Sequence, residues 1–283
     1  MNDVIVVGTD DSPGADTAIA WAAADAARKG LRLELVHVIE HGSYDFPRFP
    51  IPGLLEGLRE AAETMLEKKA QTVMARWPGI EVATKVKIGS PVAELRAQAE
   101  PAAELVVGSR GRSGLASALL GSVSLRVAGH SHGTVVVVRS VAADRGRLAV
   151  GLDETDSSEP ALAYAFTEAS LRRVPLRVLY AFAVPIHAVS LDLDRLRRAQ
   201  YDFVRDRLAP WRAKHPEVNA IEDITSVHPV AALTEASKEA DLLVVGNRGH
   251  GIAVLGSVSH GVLHHAHCPV AVVRRRGDDR PGR

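Results

Sequence analysis

ELVVGSRGRSGLASALLGSVS, from Glu104 to Ser124, begins as a short apolar run, passes through a loop of small residues and closes at Gly-Ser-Val-Ser. The run is continuously apolar and reads as a parallel strand buried on both faces. The Gly-Ser close reads as the start of a helix. Strand, glycine loop and helix start together form an anion site. First-turn amides have no intrahelical partner, and the positive end of the helix dipole faces the same point. Glycine lets backbone N–H groups approach an oxygen with no Cβ in the way. The pattern recurs, shortened, as DLLVVGNRGHGIAVLGSVS from Asp241 to Ser259.

Working outward, the two loops belong to two copies of one domain. VIVVGTD (Val4–Asp10) matches LAVGLD (Leu148–Asp153). PVAELRAQAEPAAELVVGSRG from Pro91 matches PVAALTEASKEADLLVVGNRG from Pro229 without a gap. GSVSLRVAGHSHGTVVVVR from Gly121 matches GSVSHGVLHHAHCPVAVVR from Gly256. A period of half the chain signals a duplicated domain and not a solenoid. The sequence therefore predicts one domain over residues 1–140 with the intact loop and another over 148–276 with the shortened loop. The joint, SVAADRGR (Ser140–Arg147), is short and polar.

Each half reads β-α-β-α-β-α-β-α-β. In the first half the strands are expected at Val4–Gly8, Arg32–Ile39, Glu81–Ile88, Leu105–Gly108 and Thr134–Arg139. Helices are expected near Asp16–Arg28, Pro52–Trp77, Val92–Ala99 and Ser122–Gly129. Ala15, Ile19, Ala22 and Ala26 share one stripe of the first helix, the spacing of a packed face. The second half repeats the strands near Leu148–Leu152, Leu176–Tyr180, Ile221–Val227, Leu242–Gly246 and Val270–Arg274. The fold class is α/β: two tandem Rossmann-like domains, each an open five-stranded parallel sheet flanked by helices. Ligands of such sheets bind at the carboxyl ends of the strands where the strand order reverses. The loops carrying Asp10 and Gly108 meet there.

The formal net charge is zero and neither half is markedly basic or acidic, which argues against a grip on nucleic acid through bulk charge. The basic tail Arg274–Arg283 reads as a solvated end. The chain enters strand VIVVG directly, and no apolar run is long enough to span a bilayer, so no signal peptide, no membrane partner and a cytoplasmic location are expected. The single cysteine, Cys268, excludes an intramolecular disulfide and fits a reducing compartment.

Several sites are disfavoured by their missing motifs. The first βα turn is Gly8-Thr9-Asp10-Asp11-Ser12, without the G-x-G-x-x-G of a dinucleotide site. There is no G-x-x-x-x-G-K-[ST] loop and no G-x-S-x-G elbow. His264, His265, His267 and Cys268 cluster at a helix end, where histidine complements the dipole. That reading is preferred to a metal site, and no metal is assigned.

Gly108-x2-Gly111-x9-Gly121-Ser122 after a strand resembles the ATP-binding loop of the universal stress protein family. VVGTDDS near the start, HCPVAVVR near the end and the duplication extend the likeness over nearly the whole chain, in the manner of the tandem-domain actinobacterial members. The resemblance implies an ATP-binding regulatory protein of the stress response that acts through conformation or partner binding and forms homodimers. It implies that Gly8 opens the first turn, that Asp10 meets the adenine edge and that Val38 lines the adenine pocket. Gly108 and Gly111 would open the loop around ribose and phosphate. Gly121, Ser122, Val123 and Ser124 would offer amides and hydroxyls to the phosphates. Arg110 and Arg112 sit in the loop as phosphate-screening or merely solvated arginines. Magnesium could arrive with the phosphates. The matching candidates in the second half are Asp153, Ala181, Gly246, Gly249, Gly256, Ser257, Val258 and Ser259.

The second half departs from the pattern. Six residues separate Gly249 from Gly256, where nine separate Gly111 from Gly121. The shorter loop predicts a weaker or empty second site. No residue reads as a general base and no acidic magnesium cage stands near the loop, so a catalyst is not expected. A slow ATPase or nucleotidyl-transferring enzyme, with Asp10 or Asp11 holding magnesium, remains one alternative. An adapter for another adenine nucleotide, such as a cyclic one, is a second.

Overall fold

The computed structural model describes residues 3–40, 53–111, 120–139, 144–155, 158–182, 193–247 and 255–275. The chain divides into two compact units, one within residues 1–141 and one within 142–275. Arg112, Gly249, much of both glycine loops, part of the joint and the tail beyond Arg275 lie outside the described residues.

The first unit runs β1 (Val4–Gly8), α1 (Pro13–Lys29), β2 (Arg32–Ile39), α2 (Leu54–Arg76), β3 (Val82–Ile88), α3 (Pro91–Ala99), β4 (Glu104–Gly108), α4 (Ser122–His130) and β5 (Thr134–Val138). Its strands are parallel in the order β3-β2-β1-β4-β5. The order reverses between β1 and β4, so the loops after these two strands diverge and leave a crevice. The apolar strands explain the burial. Ile5, Leu33, Leu35, Leu105 and Val136 are fully buried, covered on both faces by helices. The predicted stripe of α1 is buried at Ala15, Ile19, Ala22 and Ala26.

The second unit runs β6 (Leu148–Leu152), α5 (Glu159–Arg172), β7 (Leu176–Ala181), α6 (Leu193–Lys214), β8 (Ala220–Thr225), α7 (Pro229–Ser237), β9 (Leu242–Gly246), α8 (Ser257–His265) and β10 (Val270–Val273). Its parallel order, β8-β7-β6-β9-β10, repeats that of the first.

Boundaries differ from the sequence reading where a side chain caps an end. The Ser12 hydroxyl accepts from the Ala15 amide at 3.2 Å, so α1 starts at Pro13 and not at Asp16. β8 ends at Thr225 because the Thr225 hydroxyl accepts from the Val227 amide at 3.2 Å, and His228 then caps α7. No helix among the described residues is long and apolar enough to cross a membrane.

Candidate functional site

A cavity of about 530 Å³ opens in the first unit at the carboxyl ends of β1, β2 and β4. All ten candidates of the first half that fall within described residues line it: Gly8, Asp10, Val38, Gly108, Arg110, Gly111, Gly121, Ser122, Val123 and Ser124. Its volume lies in the range of small-molecule and cofactor pockets, about 300–1,000 Å³. One wall carries no sequence motif: it is made by Leu58, Ala61, Ala62 and Met65 of α2 together with His37 and Ile39 of β2. The spacing 58, 61, 62, 65 is that of a single helix face and was the signal available for it.

The first turn is held by its own side chains. Asp10 Oδ1 accepts from the Ser12 amide at 3.2 Å, and Asp11 takes a left-handed conformation with φ 64°. That conformation is uncommon for a residue with a side chain and marks the turn as over-determined. Lys69 of α2 pairs with Asp11 at 2.8 Å and also with Asp16. Burial lowers the Lys69 ammonium's pKa, but the two carboxylates together outweigh it, so the group ends above its ordinary value. Asp11 is therefore matched by a cation of the protein itself. His37 Nδ1 lies 2.8 Å from the Thr9 carbonyl; since a carbonyl only accepts, Nδ1 carries the proton.

The glycines divide by function. A Cβ on Gly108 would stand 2.7 Å from the Gly14 carbonyl oxygen and 2.8 Å from its carbon. Gly108 therefore lets α1 lie against β4, a packing role beside the loop-opening one that the resemblance implies. A Cβ on Gly8 would meet only the side-chain end of Leu95 of α3, at 3.0 Å. A Cβ on Gly111 would stand 2.5 Å from Asp10 Oδ2, so the chain crosses directly over that carboxylate. Gly121 is different. Its φ of −62° and ψ of 141° suit any residue, and its nearest neighbour to a Cβ, the Ser109 carbonyl, is 3.4 Å away.

Gly121 is the N-cap of α4 and provides no side-chain cap, so the first-turn amides face the cavity without one. The helix start is fixed in place. The Gly121 amide donates to the Ser109 carbonyl at 2.8 Å, and the Ser124 hydroxyl donates to the Gly108 carbonyl at 2.6 Å. Ser124 thus offers an amide to the cavity, while its hydroxyl proton is committed to the backbone. Ser122 is exposed and its hydroxyl is placed at the rim. Arg110 is exposed beside it. Arg139, just past β5, is held below the usual guanidinium value by burial and then by the charge of Arg110. Two guanidinium groups therefore lie near one another at this end of the unit.

The second unit keeps part of this frame. Asp153 Oδ1 accepts from the Thr155 amide at 2.8 Å and from its hydroxyl at 2.6 Å, the same turn as at Asp10. Gly256 is the uncapped N-cap of α8, which Ser257, Val258 and Ser259 begin. The Ser259 hydroxyl donates to the Gly246 carbonyl at 2.6 Å, as Ser124 does to Gly108. Ala181 ends β7 beside Thr225. The start of α8 is therefore tied to its strand by the same serine hydroxyl as that of α4, although its loop is three residues shorter.

The histidine cluster is spread along α8 and beyond. His264 and His265 lie in the last turn, the His264 ring lies tilted against that of His260 with centroids 4.7 Å apart, and the His267 amide donates to Ser237 Oγ at 2.8 Å. The Cys268 thiol is buried, which pushes it up to about 12.

Comparison with known proteins agrees with this architecture. The model of the universal stress protein family matches residues 1–139 and again 145–274. A universal stress protein of Mycolicibacterium smegmatis is 34% identical over 288 residues, covering 96% of this chain and 97% of that protein. One from Mycobacterium tuberculosis is 32% identical over 287 residues, with the same coverage. The crystal structure of a universal stress protein from Archaeoglobus fulgidus superimposes with a TM-score of 0.73 at 24% identity, over 98% of this chain and 97% of that one, a likeness of fold. With two matched domains and relatives along nearly its full length, the chain belongs to the universal stress protein family.

Proposed function

We propose that the first unit binds ATP in the cavity at the ends of β1, β2 and β4, and that binding sets the conformation or partner preference of a stress-response regulator. One observation carries the reading: the uncapped start of α4 and the glycine-edged strand β4 face one cavity whose opposite wall is apolar. Amides at a helix N-terminus suit phosphate, and an apolar slot suits a purine. The residues fit that ligand in three places. The Ser122, Val123 and Ser124 amides, with Arg110 nearby, would hold the phosphates. Gly111, whose missing Cβ leaves the chain room above Asp10, would border the ribose. Val38, with Ile39, Ala62 and Met65, would enclose the base.

Asp10 acquires a double role in this reading. One carboxylate oxygen holds the turn, and the carboxylate can accept from an exocyclic amine. Binding and not hydrolysis is favoured because Asp11 is matched by Lys69, which removes the carboxylate best placed to recruit magnesium. Differential affinity for two conformations is all that a regulator needs.

The test is calorimetric titration of the full chain with ATP, ADP, AMP, cyclic AMP and GTP. The expected order places ATP first and GTP at least about tenfold weaker, a difference of about 1.4 kcal/mol. Equal binding of GTP would contradict the base pocket, and tighter binding of cyclic AMP would favour the adapter alternative.

A further inference from the structure

The two units differ at a second place besides the shortened loop, at the ends of β2 and β7. Strand register places the same positions opposite each other: Gly8 pairs with Val36 in the first unit, and its counterpart Gly151 pairs with Leu179 in the second. His37 therefore corresponds to Tyr180, and Ile39 to Phe182. The pairs Leu33–Val82 and Leu176–Ala220 align α2 with α6 in the same way. Met65 and Phe203 stand at equal separations before Val82 and Ala220. Lys69 and Arg207, one helical turn further on, both reach back to the first turn of their units, Arg207 to the Thr155 carbonyl at 2.8 Å.

His37, Ile39 and Met65 line the cavity of the first unit. Their counterparts are three aromatic residues, of which Tyr180 packs against both of the others. Tyr180 lies 5.4 Å from Phe203 and 6.4 Å from Phe182 between ring centroids. Tyr180 is 2% exposed, so its ring is surrounded. Its hydroxyl donates to Glu154 Oε1 at 2.6 Å, and Glu154 is the counterpart of Asp11 in the first turn. Burial, then this hydrogen bond and the charges of Glu154 and Asp153, raise the phenol's pKa, so it stays a donor. Arg207 closes over the Phe203 ring at 5.9 Å.

We propose that the second unit's base pocket is filled by its own side chains, Tyr180 and Phe203 latched by Glu154, and that these residues and not the loop restrict the chain to one nucleotide. The proposal rests on the reading that the first cleft takes ATP. The frame supports it, because the Asp153 turn and the Ser259 tie to Gly246 are intact. A ligand entering the second cleft would have to displace a buried ring and break its hydrogen bond.

The test uses the full chain and ATP as the calorimetric probe, with circular dichroism to confirm folding. The wild type should bind one equivalent. The double substitution Tyr180→His with Phe203→Met should add a second. Lengthening the loop between Gly249 and Gly256 from six residues to the nine that separate Gly111 from Gly121 should add none while the rings remain. The reciprocal change, His37→Tyr with Met65→Phe, should weaken the first site at least about tenfold and keeps the proposal testable if the first variant fails to fold. Two equivalents in the wild type, a second site from loop lengthening alone, or unchanged binding in the reciprocal variant would overturn the proposal and leave the first site standing. No binding at all in the wild type would instead remove the reading beneath it.

Discussion

Replacing Gly121 with valine is expected to weaken ATP binding at least about tenfold, or 1.4 kcal/mol, while the protein stays folded. The backbone at Gly121 is in an ordinary extended conformation, and a Cβ there would meet the Ser109 carbonyl only at 3.4 Å. The substitution should therefore cost little stability. The added methyl groups would instead stand before the amides of Ser122 and Val123, where a phosphate oxygen must come close. Each lost charge-assisted bond costs about 1.5–3 kcal/mol, so loss of even one exceeds the tenfold threshold. Wild-type affinity in the folded variant, measured by calorimetry, would detach α4 from ligand binding.

The second large effect concerns Gly108, and it should fall on stability. A Cβ there would lie 2.7 Å from the Gly14 carbonyl oxygen, a distance that backbone atoms do not tolerate. Gly14 is equally confined, since a Cβ on it would stand 2.8 Å from the Arg110 carbonyl oxygen. Helix α1 and the end of β4 would have to separate. Overpacking of this kind costs about 1–3 kcal/mol, and valine should lie at or beyond the upper end. Against a total stability of about 5–15 kcal/mol that is a large fraction. Thermal melting of Gly108→Val should show a clearly lower midpoint for the first unit. An unchanged midpoint would mean that α1 does not press on β4 as described.

The contrast between these two glycines shows what the sequence could reveal. The strand–loop–helix pattern located both, because glycine spacing after an apolar run is a local signal. It could not separate their roles, since Gly108 meets Gly14, and only the parallel pairing of β1 with β4 brings α1 against that strand. The same limit applies to Ser124. Its place at a helix start was legible, but the commitment of its hydroxyl to the Gly108 carbonyl depends on the fold. The strands were legible nearly to the residue because buried parallel strands are uninterrupted apolar runs. The start of α1 was less so, because Ser12 sets it through a side-chain contact. The α2 wall was overlooked because a helix lining a cavity and one lying on a core have the same periodicity. In the second unit the missing loop residues are visible in the sequence as a deletion. Tyr180 and Phe203 carry no motif, and their meeting follows from strand and helix register alone.

Photolabelling tests the central claim most directly, because it asks where the base sits. The full chain would be irradiated with 8-azido-ATP, digested and mapped by mass spectrometry, with excess ATP as competitor. ATP-protected label is expected on peptides from β2 and α2 of the first unit, around Val38, Ala62 and Met65, which line the cavity. Label confined to the second unit, or label that excess ATP does not displace, would contradict it.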